Sequence, residues 1–231
     1  MKKAVCTLFS LLVLSVTSVL AQQSDWHPVS VWPFVYEQFQ NAVIYTGPAN
    51  KIVKAKSNIH VANGTLWYES NGKKLEAKSE NVNKVVFPDS VAYYTVSNML
   101  CSVLSEDSIN GKLCRLYVAE LLDKSQFQEM TRINNQSMMT ILDLSPALTD
   151  IANDVANNEG MRNMDREPLP MRNKFFMLYD GETFEATESN ILKRLATKQE
   201  RNAYRGFTRS AEILYGSKSS MLTVWKTFFV K

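Results

Sequence analysis

The sequence predicts an α+β protein in which an antiparallel, sandwich-like β-meander precedes a smaller part made of a hairpin and helices. In the first half of the chain, short alternating stretches of apolar and polar residues are separated by Asn-Gly pairs, which favour tight hairpin turns. Near the end, apolar residues recur at i, i+3, i+4 and i+7, the spacing of an amphipathic helix. Strands that come first and helices that come last are typical of the α+β class.

The first 21 residues predict export. A basic start at Lys2 and Lys3 is followed by an uncharged, mostly apolar run of about 17 residues. Val19 and Ala21 occupy the −3 and −1 positions of a signal-peptidase site, so we expect residues 1–21 to be a cleaved signal peptide. An uncleaved anchor is the alternative, but a run this short that contains Thr and Ser is marginal for spanning a bilayer. We expect no transmembrane segment in the mature chain, and a location in the periplasm or at the cell surface.

The mature chain is predicted to be nearly neutral. Removal of Lys2 and Lys3 lowers its formal charge from +3 to +1, which gives no general argument for nucleic-acid binding. We expect three regions after the signal peptide. They are an antiparallel β domain at 22–144, a helix and linker at 145–171, and a β-hairpin with three helices at 172–231.

The β domain is predicted to be a run of hairpins. Asn63-Gly64 and Asn71-Gly72 are strong turn signals, so the strands around them form a three-stranded meander. One predicted strand, 91–104, is too long to stay straight, and we expect it to bend or bulge at Ser97-Asn98. The predicted strands are 42–45, 51–62, 65–69, 73–77, 82–87, 91–104 and 112–120.

Helices are predicted in the second half. Ser145-Pro146 is a favourable N-cap with proline at the first helical position, and Gly160 can end that helix. A hairpin at 175–186 turns at Asp180-Gly181. Further helices are expected at 189–197, 198–214 and 217–230, the second with Tyr204, Phe207, Ala211 and Leu214 on one face.

Export would leave two cysteines, Cys101 and Cys114, in an oxidising compartment. Two hairpin registers are open. A two-residue turn at Asn110-Gly111 places Cys114 opposite Asp107 and excludes a disulfide. A loop centred between Asp107 and Ser108 instead places the two cysteines opposite each other, within bonding reach.

Two hairpins in the sequence resemble each other. Residues 67–77 (WYESNGKKLEA) and 177–186 (MLYDGETFEA) share a turn before a Leu or Phe, then Glu-Ala. A duplicated ligand-binding hairpin is one interpretation. We favour the other, in which two half-buried hairpins use the same turn chemistry.

Turn and core residues recur in segments such as 58–68 (NIHVANGTLWY) and 181–186 (GETFEA). Together these segments resemble a family of uncharacterised secreted or periplasmic proteins of Bacteroides-type bacteria. The likeness covers about half of the chain and consists of turn and core patterns. It implies a compartment and a fold and carries no active site. The segments are 58–68 (NIHVANGTLWY), 72–73 (GK), 75–77 (LEA), Val82, 85–87 (VVF), 175–176 (FF), 181–186 (GETFEA) and 191–192 (IL).

The residues give no catalytic or metal-binding motif, and we expect no cofactor. His27 precedes Pro28 near the mature start, and His60 lies within a predicted strand, where we expect it to pack on Trp67 across the turn. Two separated histidines without a Cys-x-x-Cys pair disfavour zinc. A pair of carboxylates could still act on a glycan, because such a pair needs no local motif. Candidates are Glu69, Glu76, Glu120 and Asp123.

The sharpest positive signal is a basic stripe. Arg194, Lys198, Arg201, Arg205 and Arg209 recur every three or four residues, so a single helix would align them on one face. The stripe could bind an anionic lipid or glycan, the proposed site being Lys198, Arg201, Arg205 and Arg209. The simpler interpretation is a solvated helix face.

A second feature is the aromatic group Trp26, Trp32, Phe34, Tyr36 and Phe39. If exposed, it would suit carbohydrate stacking or partner docking, but we expect it to pack on the sheet as a small additional core.

The sequence therefore predicts an exported envelope protein without enzymatic activity that binds or supports an unknown envelope component, either a protein or a glycan. Two alternatives remain. One is a polysaccharide hydrolase with a carboxylate pair that the sequence does not locate. The other is an anionic-lipid or glycan binder that uses the basic helix face.

Overall fold

A computed structural model describes residues 27–28, 32–133 and 168–230, with side chains up to residue 129 in the second of these ranges. The predicted signal peptide, Trp26 and the helix expected from Ser145 lie outside the described residues. Ten antiparallel strands form one sheet that curls into a half-barrel. The coarser prediction of a β-rich α+β fold is confirmed.

The strands are β1 (Gln40–Thr46), β2 (Lys51–His60), β3 (Thr65–Ser70), β4 (Lys73–Glu76), β5 (Val82–Val86), β6 (Ala92–Val96), β7 (Met99–Ile109), β8 (Lys112–Leu122), β9 (Met171–Tyr179) and β10 (Glu182–Glu185). A 3-10 helix at Ser79–Asn81 precedes β5. The α-helices are α1 (Lys124–Ile133), α2 (Glu188–Arg194), α3 (Lys198–Ser210) and α4 (Lys218–Phe228). α1 was not predicted from the sequence, and its Phe127 side chain is buried.

The order of strands in the sheet is β10-β9-β8-β7-β6-β5-β1-β2-β3-β4. Neighbours in space are neighbours in sequence except that β5 pairs with β1. The separate hairpin part expected at 172–231 is not confirmed, because β9 pairs with β8 from Arg115↔Leu178 to Leu122↔Met171. One sheet therefore crosses the predicted domain boundary.

Three tight turns follow their sequence signals. Asn71-Gly72, Asn110-Gly111 and Asp180-Gly181 each place two successive residues at positive φ, as a type I′ turn requires. The predicted bend at Ser97-Asn98 is instead a complete turn of the same kind, with φ of 48° and 65°. The long strand expected at 91–104 is therefore two strands, β6 and β7.

The loop between β2 and β3 is wider than its Asn63-Gly64 pair predicts. His60 pairs with Thr65, which leaves a four-residue loop in which the Gly64 amide donates to the His60 carbonyl at 2.9 Å. This loop also reaches the far strands. The Gly64 carbonyl accepts from the Leu100 amide at 2.8 Å, and the Val61 carbonyl accepts from the Leu122 amide at 2.9 Å. Long-range contacts have overridden the local turn preference and help to curl the sheet.

Two large apolar clusters lie on the same face of the sheet. Register shows this, because Val85, Tyr93, Ser102, Val118 and Phe175 are cross-strand partners in succession. The first cluster is built from β1, β2, β3, β5 and β7 and contains Ala42, Ile44, Ile59, Leu66, Val82, Val85, Phe87 and Leu100. The second lies between β8–β10 and helices α2–α4 and contains Leu116, Met177, Ile191, Tyr204, Met221 and Trp225. The first half of the sheet therefore closes on itself, whereas the second half is covered by helices.

The cysteines follow the register that excludes a disulfide. The Asn110-Gly111 turn pairs Ile109 with Lys112 and Cys114 with Asp107. A bulge between Val103 and Ser105 separates this register from that of the strand segment carrying Cys101. Both thiols are free and buried, and they belong to different clusters. The alternative in which Cys101 and Cys114 are bridged does not fit this arrangement.

Candidate functional site: the basic face of α3

The helix that carries the predicted basic stripe is fixed at both ends. Thr197 is its N-cap, and its hydroxyl accepts from the Glu200 amide at 3.1 Å while the Glu200 carboxylate accepts from the Thr197 amide at 2.9 Å. This reciprocal arrangement is a capping box, which satisfies two amides that the helix itself cannot. The helix ends at Ser210, and Glu212 has a left-handed φ of 46°.

The inner side of α3 packs on α4. Tyr204 is fully buried, and its hydroxyl lies 2.7 Å from that of Tyr215. The rings of Tyr204 and Phe207 both meet Phe228 edge-on, at 5.1 and 5.4 Å between centroids. Burial together with the Tyr215 hydroxyl raises the pKa of Tyr204, so it is a neutral hydrogen-bonding group. These contacts fix the rotation of α3 about its axis.

An exposed flank of α3, turned away from Tyr204, carries three cations. Lys198, Arg205 and Arg209 follow one another at spacings of seven and four residues, so they share a face. Arg201 belongs to the same row but is half-buried, and its guanidinium donates to the Leu195 carbonyl at 3.0 Å. Arg201 therefore supports the junction between α2 and α3, whereas the other three side chains face solvent. We call Lys198, Arg205 and Arg209 the basic face.

The predicted stripe does not extend back to Arg194. That residue lies in α2, and the chain between Leu195 and Thr197 is extended, so α2 and α3 are separate helices. The Arg194 guanidinium forms a salt bridge with Glu182 on β10 and lies over the Phe184 ring at 5.1 Å. Arg194 thus fastens α2 to the edge of the sheet.

Cations elsewhere on the protein are often held by carboxylates. Salt bridges between described residues neutralise Lys56, Lys74, Lys112, Arg115, Lys174, Arg194 and Lys218. In the part of the chain that the structure describes, no salt bridge involves Lys198, Arg205 or Arg209. The charges of the basic face therefore remain available to an external anion.

An exposed leucine follows the basic face. The sequence analysis placed Leu214 on the inner side of a longer helix, which is wrong because the helix ends four residues earlier. Leu214 is 67 % exposed, the largest exposure among the large apolar side chains of the described residues. No sequence signal marked the end of α3 at Ser210. A basic helix face followed, five residues later, by an exposed leucine resembles the composition of membrane-surface helices.

His60 is buried in an aromatic layer. Its ring stacks on Trp67 at 5.5 Å and meets Phe34 edge-on at 5.2 Å, although its direct strand partner is Thr65. Burial, with a smaller effect of the Lys124 ammonium, lowers the pKa of His60 to about 4. Trp32 and Phe34, two members of the predicted aromatic group, are also buried here. They belong to the core and do not form an exposed platform for carbohydrate stacking.

The other candidate groups have structural partners. Glu69 lies near Lys74 and Lys56, Glu120 forms a salt bridge with Lys218, and Asp123 accepts from two amides at the start of α1. Glu76 faces solvent on β4, at the edge of the sheet. Burial raises the pKa of Cys101 to about 12, so its thiol is protonated at neutral pH. Among the residues described, no group of three or more His, Cys, Asp or Glu is arranged to hold a metal ion.

Comparison with known proteins adds no assignment. No protein-family model matches the chain, and neither a curated protein nor a solved structure matches it. Within the described ranges, no helix has the length and apolar character needed to cross a bilayer.

Proposed function

We propose that this is an exported protein that binds anionic membrane headgroups through the basic face of α3 and catalyses no reaction. The observation that carries the proposal is the alignment of Lys198, Arg205 and Arg209 on one exposed helix face without a described carboxylate partner. Each basic side chain near an anionic bilayer contributes roughly 1 kcal/mol of binding free energy. Three such side chains give weak, reversible and salt-sensitive attachment.

Leu214 favours a bilayer over a soluble anion. A soluble anion needs only the cations, whereas an exposed apolar side chain five residues after Arg209 gains free energy by entering the headgroup boundary. The predicted mature chain carries a formal charge of +1, so general attraction to anions is weak. Binding therefore depends on where the cations lie.

Four further points support export and a non-catalytic role. Residues 1–21 have the composition of a signal peptide, and the chain resembles secreted proteins of Bacteroides-type bacteria. His60 and Cys101, which could otherwise act in catalysis, are buried and uncharged at neutral pH. No described arrangement favours the alternative of a polysaccharide hydrolase, because its candidate carboxylates stabilise turns and ion pairs or lie at a sheet edge.

The test is sedimentation of the chain from Gln22 onward with vesicles of equal parts phosphatidylglycerol and phosphatidylcholine. We expect the Arg205→Glu/Arg209→Glu variant to bind at least roughly tenfold more weakly, because two attractive charges become repulsive. Arg201 is left unchanged because it supports the α2–α3 junction.

The matched control is Lys51→Glu/Lys54→Glu, which makes the same charge change on β2. We expect it to bind like the unmodified protein. Equal loss in both variants would show a general charge effect, and undiminished binding of the α3 variant would show that another surface is used. Either result would overturn the proposal, as would equal binding to pure phosphatidylcholine vesicles.

A further inference from the structure

We propose that the outer edge of β2, residues 51–56, receives an extended acidic segment of a partner protein as an added strand. We call these six residues the free edge. The proposal goes beyond membrane binding by α3 and does not depend on it. It rests on the pairing of β2, on the side chains that flank the unpaired backbone, and on the charge that these side chains carry.

The first half of β2 has a neighbour on one side only. β1 pairs with β2 from Lys51 to Ser57, whereas β3 pairs only from Ser57 to His60. Five of the six residues from 51 to 56 are exposed and Ala55 is half-exposed, so no residue that the structure describes covers this stretch. An unpaired strand edge of this kind can pair with another extended chain.

The direction of each backbone group follows from alternation. The Ile59 carbonyl accepts from the Val35 amide, and the Val61 amide donates to the Pro33 carbonyl, both on the β1 side of β2. Residues along a strand alternate between its two sides, and the β1–β2 register has no shift. The odd-numbered residues therefore bond to β1, and the N–H and C=O groups of Ile52 and Lys54 point outward, beyond the last β3 pair at Ser57.

Apolar side chains lie on both faces beside this edge. Ile52 is 57 % exposed and Val53 is 41 % exposed, and successive strand residues point to opposite faces. An added strand would cover both side chains at once.

The occupant is defined by charge. Lys51, Lys54 and Lys56 flank the free edge, and Glu69, at 4.0 Å from Lys56, is their closest described carboxylate partner. A second copy of the same edge would bring two rows of lysine together, which is unfavourable. An extended segment with acidic residues at alternate positions would instead place its carboxylates opposite Lys54 and Lys56, which point to the same face of the sheet. The lysines thus resist self-association and favour an acidic partner.

The experiment uses a synthetic ten-residue peptide of alternating Glu and Val as the probe, with alternating Lys and Val as its control. Binding to the chain from Gln22 onward is measured by fluorescence anisotropy, and amide hydrogen exchange is followed residue by residue. We expect the acidic peptide alone to bind and to slow exchange at Ile52 and Lys54, whose amides point outward. Exchange at Val53, which bonds to β1, should change little.

The critical variant is Lys54→Pro, which removes one outward amide and leaves the odd-numbered bonds to β1 in place. Its matched control, Lys54→Gln, loses the same charge and keeps the amide. We expect the proline variant to bind the acidic peptide at least about tenfold more weakly than the glutamine variant, with unchanged circular dichroism and thermal midpoint. If the proline variant does not fold, the hydrogen-exchange pattern of the unmodified protein tests the proposal. Slowed exchange at Ile52 and Lys54 would support it, and unchanged exchange at both would overturn it.

Three other results would overturn the proposal. Equal peptide affinity of the proline and glutamine variants would show that the backbone edge is not used. Vesicle binding that is lost in Lys51→Glu/Lys54→Glu and kept in Arg205→Glu/Arg209→Glu would make this hairpin the membrane site. A dimer that disappears in Lys54→Pro would show that a second copy occupies the edge.

Discussion

The β3–β4 and β9–β10 hairpins lie at opposite edges of one sheet and share their local construction. Each turns at a residue pair with positive φ, Asn71-Gly72 or Asp180-Gly181. After each turn, an alanine amide donates back across the hairpin, from Ala77 to the Leu66 carbonyl at 2.8 Å and from Ala186 to the Phe175 carbonyl at 2.9 Å. The sequence similarity noted between them therefore corresponds to equivalent bonds.

The two hairpins differ in what packs against them. Over β3–β4 lie aromatic residues from the chain that precedes β1, with the Lys74 ammonium 5.1 Å from the Phe39 ring centroid. Over β9–β10 lie α2, α3 and α4. Similar hairpins are thus covered by two different layers, one aromatic and one helical. Only the helical layer carries the basic face. The comparison shows that the site comes from the covering elements, while the hairpins supply similar platforms.

The largest effect is expected where the helices cover the sheet. Trp225 is fully buried and stacks on Phe229 at 5.7 Å, so Trp225→Ala should lower the free energy of unfolding by about 3–5 kcal/mol. Trp67 lies in the β3–β4 hairpin, at the other edge of the sheet. Trp67→Ala should lower the midpoint of the same single unfolding transition, because β6–β8 join both halves in one sheet. Urea unfolding followed by circular dichroism and by tryptophan fluorescence measures both.

Trp225→Phe is the matched control. Among the described residues, the buried indole N–H of Trp225 has no hydrogen-bond partner, so its loss offsets part of the cost of the lost volume. We expect a smaller cost than for Trp225→Ala, because phenylalanine keeps most of the buried aromatic volume. Two separate unfolding transitions, one per half, would contradict the view of a single cooperative sheet.

Local signals account for the parts of the fold that were predicted. Asn110-Gly111 and Asp180-Gly181 form the expected turns because the required positive φ is a property of those residues themselves. Ser97-Asn98 forms the same turn with a weaker signal, and the long strand was therefore expected only to bend. Asn63-Gly64 does not form the predicted two-residue turn, because its loop makes backbone hydrogen bonds to Leu100 and Leu122, which lie far away in sequence.

The candidate site was predicted in part for the same reason. The spacing of Lys198, Arg201, Arg205 and Arg209 fixes a shared helix face, since helical periodicity is local. The structural role of Arg201 depends on where the Leu195 carbonyl lies after α2 ends. The exposure of Leu214 depends on where α3 ends, and the free edge of β2 on where β3 stops pairing. These facts are tertiary and leave no periodic trace in the sequence.

The next largest effect is expected from His60, which lies in the aromatic layer over β3. Burial, with a smaller effect of Lys124, lowers the pKa of His60 from 6.5 to about 4 in the folded protein, while the unfolded chain keeps the ordinary value. The unfolded chain therefore binds the proton first as pH falls. Stability from neutral His60 is fully present above pH 6.5 and is lost towards pH 4, by about 3 kcal/mol.

His60→Asn tests this assignment. An asparagine carbonyl can replace Nδ1 of His60, which accepts from the Ala62 amide at 3.3 Å, and it does not titrate. We expect the variant to be less stable at pH 7 but to lose less stability between pH 6.5 and 4, measured by urea unfolding at each pH. A profile parallel to that of the unmodified protein would assign the acid sensitivity to other groups.

The smallest effects compare the glycines of the two hairpins with the glycine of the connecting loop. Gly72 and Gly181 have φ of 74° and 79°, and an added Cβ would meet nothing within 4 Å at either, so Gly→Ala should cost about 1–2 kcal/mol at both. At Gly64 the same Cβ would lie 3.1 Å from the Leu121 side chain and 3.3 Å from Met99 Cβ. An alanine there must therefore also push these two side chains away, and with them the contact between the β2–β3 loop and strands β7 and β8. Thermal unfolding of the three variants should therefore give equal losses for Gly72→Ala and Gly181→Ala and a larger one for Gly64→Ala. If all three losses are equal, the loop yields without cost and its packing does not hold the sheet curled; if Gly72→Ala and Gly181→Ala differ, the two hairpins are not equivalent platforms.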